Sequence, residues 1–99
     1  MAKTKVIWAE NALSDFDDIG MFIAKDSVER AVNFCQKLFE STDQLEQQPL
    51  SGVVIAENPG FRQLVVAGYR VIYRLTDVVE VITVIAPGKN AAKILSIIK

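Results

Sequence analysis

The chain contains no histidine, and its single cysteine is Cys35. Without histidine, Ser-His-Asp and Cys-His catalysis are excluded, and the commonest metal ligand is missing. One cysteine cannot form an internal disulfide. No apolar run reaches the roughly 18 residues of a membrane span, and residues 1–10 lack the long apolar core of a signal peptide. We therefore expect a cytoplasmic protein with no metal site, and the composition disfavours a conventional hydrolase.

The length and the charge pattern limit the organisation of the protein. Ninety-nine residues suffice for a single domain over residues 1–99 with one modest core. Hydrophobic residues make up 51% of the chain and charged residues 23%, a balance typical of a globular protein. Residues 10–48 hold nine acids and three bases, whereas residues 49–99 hold six bases and three acids. This asymmetry is compatible either with a partner surface or with ordinary solvated faces.

The first half of the chain has the apolar spacing of helices. Residues 4–8 form a short β-rich segment, and a helix is predicted over residues 11–24. Its expected core-facing stripe consists of Leu13, Phe16, Ile19 and Ile23. Ser27 is the expected N-cap of a second helix over residues 27–47. The stripe of that helix consists of Val28, Ala31, Val32, Cys35, Leu38, Phe39, Thr42 and Leu45. Two amphipathic helices with a short connection predict an antiparallel hairpin.

The apolar period changes from helical to alternating near Pro49. Residues 53–55 are a short strand candidate, and three longer β-rich runs follow, at 61–66, 69–75 and 78–85. Short turns separate them, which favours an antiparallel β-meander. Asn90 is placed to cap a short terminal helix. The fold class predicted from this order is α+β: an N-terminal strand, an antiparallel helical hairpin, an antiparallel β-meander and a short C-terminal helix.

Three arginines lie on the predicted meander. Because side chains alternate along a strand, Arg70 and Arg74 share the face opposite Tyr73, which is expected to face the hairpin. Arg62 joins them on that face if the turn between the two strands holds three residues, Val66-Ala67-Gly68. If the turn is the two-residue Ala67-Gly68, Arg62 is paired across from Tyr73 and shares its face. The sequence leaves that register open. Arg70 and Arg74 either bind acidic or phosphate groups of a partner or pair within the fold, with Glu80 or with a helix acid.

The end of the chain carries a lysine and several aliphatic residues. Lys89 is a further cation, and the predicted terminal helix presents Ile94, Leu95 and Ile98. This apolar tail either docks on the core or forms part of a partner surface. No zinc spacing, phosphate-binding glycine loop or aromatic-basic RNA motif is present, so we expect no cofactor and no direct DNA binding.

Several segments, taken in order, resemble the RelE/ParE toxin superfamily. They are Ala12-Leu13-Ser14-Asp15, Pro49-Leu50-Ser51-Gly52, Phe61-Arg62-Gln63-Leu64-Val65-Val66 and Tyr69-Arg70-Val71-Ile72-Tyr73-Arg74. The resemblance covers about residues 5–95 and is greatest to the ParE branch. It implies the toxin of a type II toxin–antitoxin module of the plasmid-stabilisation kind, which a cognate antitoxin neutralises and which inhibits DNA gyrase.

The resemblance also offers two alternatives. RelE-like proteins are ribosome-dependent messenger-RNA endonucleases, and they resemble this chain at Gly88-Lys89 but have an arginine and a tyrosine where it has Asn90 and Ser96. Neither substitute provides the missing cation or acid, so no catalytic residue is assigned. A family member that binds antitoxin without being toxic is the second alternative. A homodimer and a toxin–antitoxin hetero-oligomer both remain open. The expected partner-binding residues are Arg62, Arg70, Arg74, Lys89, Ile94, Leu95 and Ile98.

Overall fold

Residues 3–97 are described by a computed structural model, in which a helical hairpin packs on a five-stranded sheet. In chain order the elements are β1 (Val6–Trp8), α1 (Glu10–Ala24), α2 (Val28–Asp43), β2 (Val53–Val54), β3 (Arg62–Val66), β4 (Tyr69–Leu75), β5 (Val79–Ile85) and α3 (Ala91–Ile97). One turn of 3-10 helix, Gln44–Glu46, follows α2 directly. Within residues 3–97 no helix combines the length and apolar character needed to cross a bilayer. The predicted α+β class and element order are confirmed.

The strands are arranged in the order β1-β5-β4-β3-β2. The predicted meander is confirmed, because β3, β4 and β5 pair antiparallel in sequence order. Strand β2 pairs antiparallel with β3 through only two residues. Strand β1 pairs parallel with β5, and the helical hairpin and strands β2, β3 and β4 lie between the two in the chain. The sheet therefore ends at β1 on one side and at the very short β2 on the other.

Local sequence explains the helix boundaries. The Oγ of Ser27 accepts a hydrogen bond of 3.1 Å from the backbone N–H of Arg30, so the predicted N-cap of α2 is confirmed. The second helix ends at Asp43, not at residue 47, because the chain tightens into the 3-10 turn before Pro49. The first helix begins one residue earlier than predicted, at Glu10.

The main core lies between the hairpin and the sheet. Its buried residues are Ala12, Phe34, Leu38, Leu45, Val66, Val71, Tyr73, Val79, Val81 and Val84. Four residues predicted for the core-facing stripes are instead exposed by more than half, namely Leu13, Val28, Val32 and Phe39. The prediction was wrong for them because the apolar stripes are wider than the sheet that covers them.

A second, smaller core lies on the opposite face of the sheet. It consists of Ile55, Phe61, Ile72, Ile85 and Leu95. Helix α3 provides Leu95, with Ile94 packed beside it. Strand β4 is consequently covered on both faces near its middle, where Val71, Ile72 and Tyr73 are consecutive and all fully buried.

Helix α1 is tied to the sheet by a carboxylate. Asp15 Oδ2 accepts hydrogen bonds from Thr83 Oγ1 at 2.5 Å and from the backbone N–H of Val84 at 3.0 Å. Both donors lie on β5 next to the irregularity in its pairing with β4 at Ile72 and Tyr73. Strand β1 pairs with β5 only as far as Val81, and the carboxylate provides the acceptor for a backbone N–H beyond the end of that pairing.

Candidate functional site

The two arginines of β4 have different environments. Both lie on the sheet face opposite the hairpin, as the alternation predicted. Arg74 is paired directly across from Glu80, to which its Nη2 donates a hydrogen bond, and its guanidinium lies 5.9 Å from the centroid of the Phe61 ring. Arg70 is exposed and forms no salt bridge within residues 3–97. The intramolecular pairing alternative therefore holds for Arg74, whereas Arg70 keeps an available positive charge.

Arg62 lies apart from these two arginines. The β3–β4 turn contains only Ala67 and Gly68, both with positive φ, which is the type I′ geometry of a two-residue hairpin. That turn pairs Arg62 with Tyr73 and turns it toward the hairpin side of the sheet. Arg62 Nη1 donates to the carbonyl oxygens of Gly52 at 2.9 Å and of Leu50 at 3.3 Å.

These contacts belong to a small hydrogen-bond network that holds the α2–β2 connection. The hydroxyl of Tyr73 donates to the carbonyl of Pro49 at 2.8 Å and accepts from the N–H of Gly52 at 2.9 Å. Burial raises the pKa of the Tyr73 hydroxyl, and the Gly52 hydrogen bond and the charge of Arg62 oppose that rise. Arg62 and Tyr73 therefore act together to hold the connecting segment on the sheet.

The remaining predicted site residues lie near the end of the chain. Lys89 is exposed and lines a groove between α1 and the end of β5, together with Asp18. Leu95 is buried in the second core and Ile94 is half-buried against it. Ile98 lies outside the described residues. Leu95 therefore docks on the core, which is one of the two alternatives for the tail. Its side chain is not available to a partner at the surface of the isolated chain.

The two positions that separate the chain from RelE-like ribonucleases have local roles. Asn90 Oδ1 accepts a hydrogen bond from the N–H of Lys93 at 3.1 Å, and so caps α3 as predicted. Ser96 Oγ donates to the carbonyl of Lys93 at 2.7 Å. The predicted cations are also not close together within the described residues. Arg62, Arg70 and Lys89 lie at three separate places.

The sequence analysis did not predict an apolar surface on the outside of the helical hairpin. We define the hairpin surface as Leu13, Val28, Val32 and Phe39, which are 52%, 67%, 58% and 61% exposed. The three residues of α2 are four and seven positions apart, so they share one side of that helix. The signal that could have found this surface was in the sequence: each helix has more apolar residues than one sheet face can cover.

One end of the hairpin surface is a cavity walled by aromatic rings. Phe39 and Leu13 line a cavity of about 200 Å³ with Trp8, Phe16 and Asp17. The Trp8 and Phe16 rings meet edge to face at a centroid distance of 5.7 Å, and those of Phe16 and Phe39 at 5.8 Å. Such a cavity suits one aliphatic or aromatic side chain of another molecule.

Comparison with known proteins assigns the family. The model of the ParE toxin of the type II toxin–antitoxin system parDE matches residues 6–90. The chain belongs to the ParE toxin family. A protein of Sinorhizobium fredii (strain NBRC 101917 / NGR234), named "Putative toxin Y4kP", is 32% identical over 101 residues, which cover 96% of this chain and 100% of that protein. The resemblance found in the sequence is thereby confirmed.

Two solved structures share the fold. A structure described as the chromosomal ParDE TA system from P. aeruginosa has a TM-score of 0.73 at 19% identity, covering 86% of this chain and 97% of that one. The isolated E. coli RelE toxin has a TM-score of 0.54 at 17% identity, with 95% of each chain covered. At these identities the likeness shows the fold alone. This ParE-family chain is therefore a toxin of a toxin–antitoxin system by family and α+β by architecture.

Proposed function

We propose that this ParE-family toxin is held inactive by a cognate antitoxin that covers the hairpin surface, and that the free chain inhibits DNA gyrase. The observation that carries the first part is the exposure of Leu13, Val28, Val32 and Phe39. Soluble monomers rarely leave several large apolar side chains exposed on one element pair, and such surfaces mark binding sites. A toxin–antitoxin family implies a partner for this chain, and the hairpin surface offers that partner apolar area to bury.

The antitoxin segment that fits this surface is an amphipathic helix or an extended apolar stretch. A side chain inserted between Trp8, Phe16 and Phe39 would act as an anchor, because a fully desolvated pocket concentrates binding energy in few residues. The surrounding hairpin is acidic, with Asp17 at the cavity itself. Basic residues beside the apolar anchor would therefore speed association and fix its register.

A matched pair of variants tests this surface. Phe39→Glu places a charge in the interface, and we expect antitoxin affinity to fall by roughly tenfold or more. Leu50→Glu is the control, since Leu50 is also exposed, at 62%, but lies on the connection outside the hairpin. Isothermal titration with the antitoxin encoded beside the toxin gene measures both. Equal affinities of the two variants would exclude the hairpin surface as the antitoxin site.

Gyrase inhibition is proposed from the family, and two observations on the chain itself count against the ribonuclease alternative. The positions that would carry ribonuclease chemistry hold Asn90 and Ser96, and both side chains make local hydrogen bonds in or beside α3. The one buried phenol, Tyr73, is engaged with the α2–β2 connection and is closed to solvent. An acid and a base for RNA cleavage are therefore lacking at the expected places.

Two assays, one with purified proteins and one on induced cells, separate the alternatives. A supercoiling assay with purified gyrase should show inhibition by the free toxin and relief by added antitoxin. Primer extension on a translated message after induction should show no new cuts. Codon-registered cuts with normal supercoiling would replace this proposal with a RelE-like ribonuclease. Antitoxin binding with neither effect, and with no growth arrest, would identify a member that binds its partner without being toxic.

A further inference from the structure

The sheet face opposite the hairpin carries a second recess. A groove of about 230 Å³ lies between α3 and the β2–β3 edge of the sheet. We name it the Arg70 groove; its floor and rim include Val54, Glu57, Gln63, Arg70, Ala91 and Ala92. Small residues of α3 leave the space open, and Gln63 and Arg70 present polar groups from neighbouring strands. It lies on the other side of the sheet from the hairpin surface.

Of the described residues, Arg70 is the one cation that lines this groove. Arg70 is flanked on its two neighbouring strands by Val65 and Ile85, so no cross-strand carboxylate faces it. Arg74, four residues further along β4 on the same face, is paired with Glu80. Arg70 forms no ion pair with any residue in 3–97, so its guanidinium donors are available to another molecule.

We propose that the Arg70 groove receives one carboxylate side chain of the antitoxin, which makes it a second contact point on the face away from the hairpin surface. This inference rests on the proposed function, because it assumes that an antitoxin binds. The planar guanidinium of Arg70 matches a carboxylate with two parallel hydrogen bonds. An antitoxin segment that covers the hairpin surface and also reaches this groove must pass around an edge of the sheet.

The groove suits a single carboxylate better than a nucleic acid. A phosphate backbone is held by several cations acting together. Within the described residues, Arg74 is already paired, and Arg62 donates to backbone carbonyls from the opposite face. Glu57 lines the groove itself, and its charge repels a polyanion more strongly than it repels a single carboxylate. Arg70 is the one cation among the described groove residues, so the groove suits one carboxylate better than a phosphate backbone.

Titration of three variants with the antitoxin tests the inference. Arg70→Glu should weaken binding by at least tenfold at low salt, and the difference should shrink as salt is raised. Arg70→Lys keeps the charge but loses the planar guanidinium that gives two parallel hydrogen bonds, so the loss of antitoxin affinity should be intermediate. Lys5→Glu makes the same charge change at the β1 edge of the sheet, far from the groove, and should stay within twofold of the parent. Because Arg70 is exposed and unpaired, Arg70→Glu should melt at the parent temperature.

Charge exchange identifies the partner residue. Replacing each antitoxin carboxylate in turn by arginine should produce one variant that binds Arg70→Glu better than it binds the parent toxin. Parent-like affinity of Arg70→Glu for the antitoxin would overturn the inference and leave the proposed function intact. Loss of binding to a fluorescent single-stranded RNA, with antitoxin affinity unchanged, would overturn it in favour of a nucleic-acid site. A parent toxin that fails to bind the antitoxin at all would overturn both.

Discussion

Removing one oxygen atom should loosen the connection between the hairpin and the sheet. Tyr73 is fully buried, and its hydroxyl bridges the carbonyl of Pro49 and the N–H of Gly52. Tyr73→Phe keeps the ring and its packing but deletes both hydrogen bonds. It also leaves the buried N–H of Gly52 without its acceptor, because phenylalanine cannot replace the hydroxyl.

The magnitude follows from those two bonds. A neutral intramolecular hydrogen bond contributes about 0.5–1.5 kcal/mol net, and an orphaned buried donor costs about 1–3 kcal/mol. We expect Tyr73→Phe to lower the free energy of unfolding by about 2 kcal/mol. For a domain of this size that corresponds to a fall in Tm of about 8–16 °C. Urea denaturation should show a lower midpoint with an unchanged slope.

A substitution at Gly52 should disturb the same hydrogen-bond network. A Cβ on Gly52 would lie 2.5 Å from Tyr73 Oη and 2.6 Å from its Cε1, and the buried ring has no room to retreat. Gly52→Ala should therefore cost about 1–3 kcal/mol through overpacking alone. Gly60→Ala is the control, since the nearest atom to its Cβ, Asn58 Oδ1, is 3.9 Å away. We expect it to change stability by less than about 0.5 kcal/mol.

The stability at alkaline pH provides an independent test of the role of the Tyr73 hydroxyl. Burial raises the pKa of Tyr73 above its ordinary value of 10.0. The folded state then keeps a proton that the unfolded state loses, so stability falls as the pH rises above about 10. Tyr73→Phe lacks this proton, and the stability gap between parent and variant should narrow with rising pH. A gap below about 0.5 kcal/mol at pH 7, or one independent of pH, would refute the reasoning.

Three further predictions concern single positions. Ala67 has φ of 51°, so Ala67→Asn should raise stability by about 1 kcal/mol in a thermal melt, and an unchanged or lower Tm would argue against the type I′ turn. Asp15→Ala removes an acceptor of two hydrogen bonds from β5 and should cost about 2 kcal/mol in urea denaturation, against less than about 0.5 kcal/mol for exposed Asp18→Ala. Burial and nearby Asp17 raise the pKa of the Cys35 thiol, so a disulfide reagent at pH 7 should label it more slowly than free cysteine, and equal rates would contradict this.

The positions of the three arginines show what strand alternation can predict from sequence and what it cannot. Alternation alone placed Arg70 and Arg74 on one face, because the side-chain period of a strand is fixed by its backbone. Whether Arg62 joined them depended on the number of residues in one turn, and a change of one residue moves a side chain to the other face. The identities of Ala67 and Gly68 left that number open at the level of sequence. The pairing of Val66 with Tyr69 in the folded sheet shows a two-residue turn.

The sequence by itself determined the element types, their order and the family resemblance, since periodicity, caps and turns are local properties of the chain. It also determined that Ser27 and Asn90 cap helices, because a cap involves residues only three positions apart. The tertiary structure alone decided which apolar residues are left over. Leu38 and Phe39 were both predicted for the apolar stripe of α2, yet Leu38 is fully buried and Phe39 is 61% exposed. The sheet covers only part of each helix, and its extent depends on pairings between residues far apart in the chain.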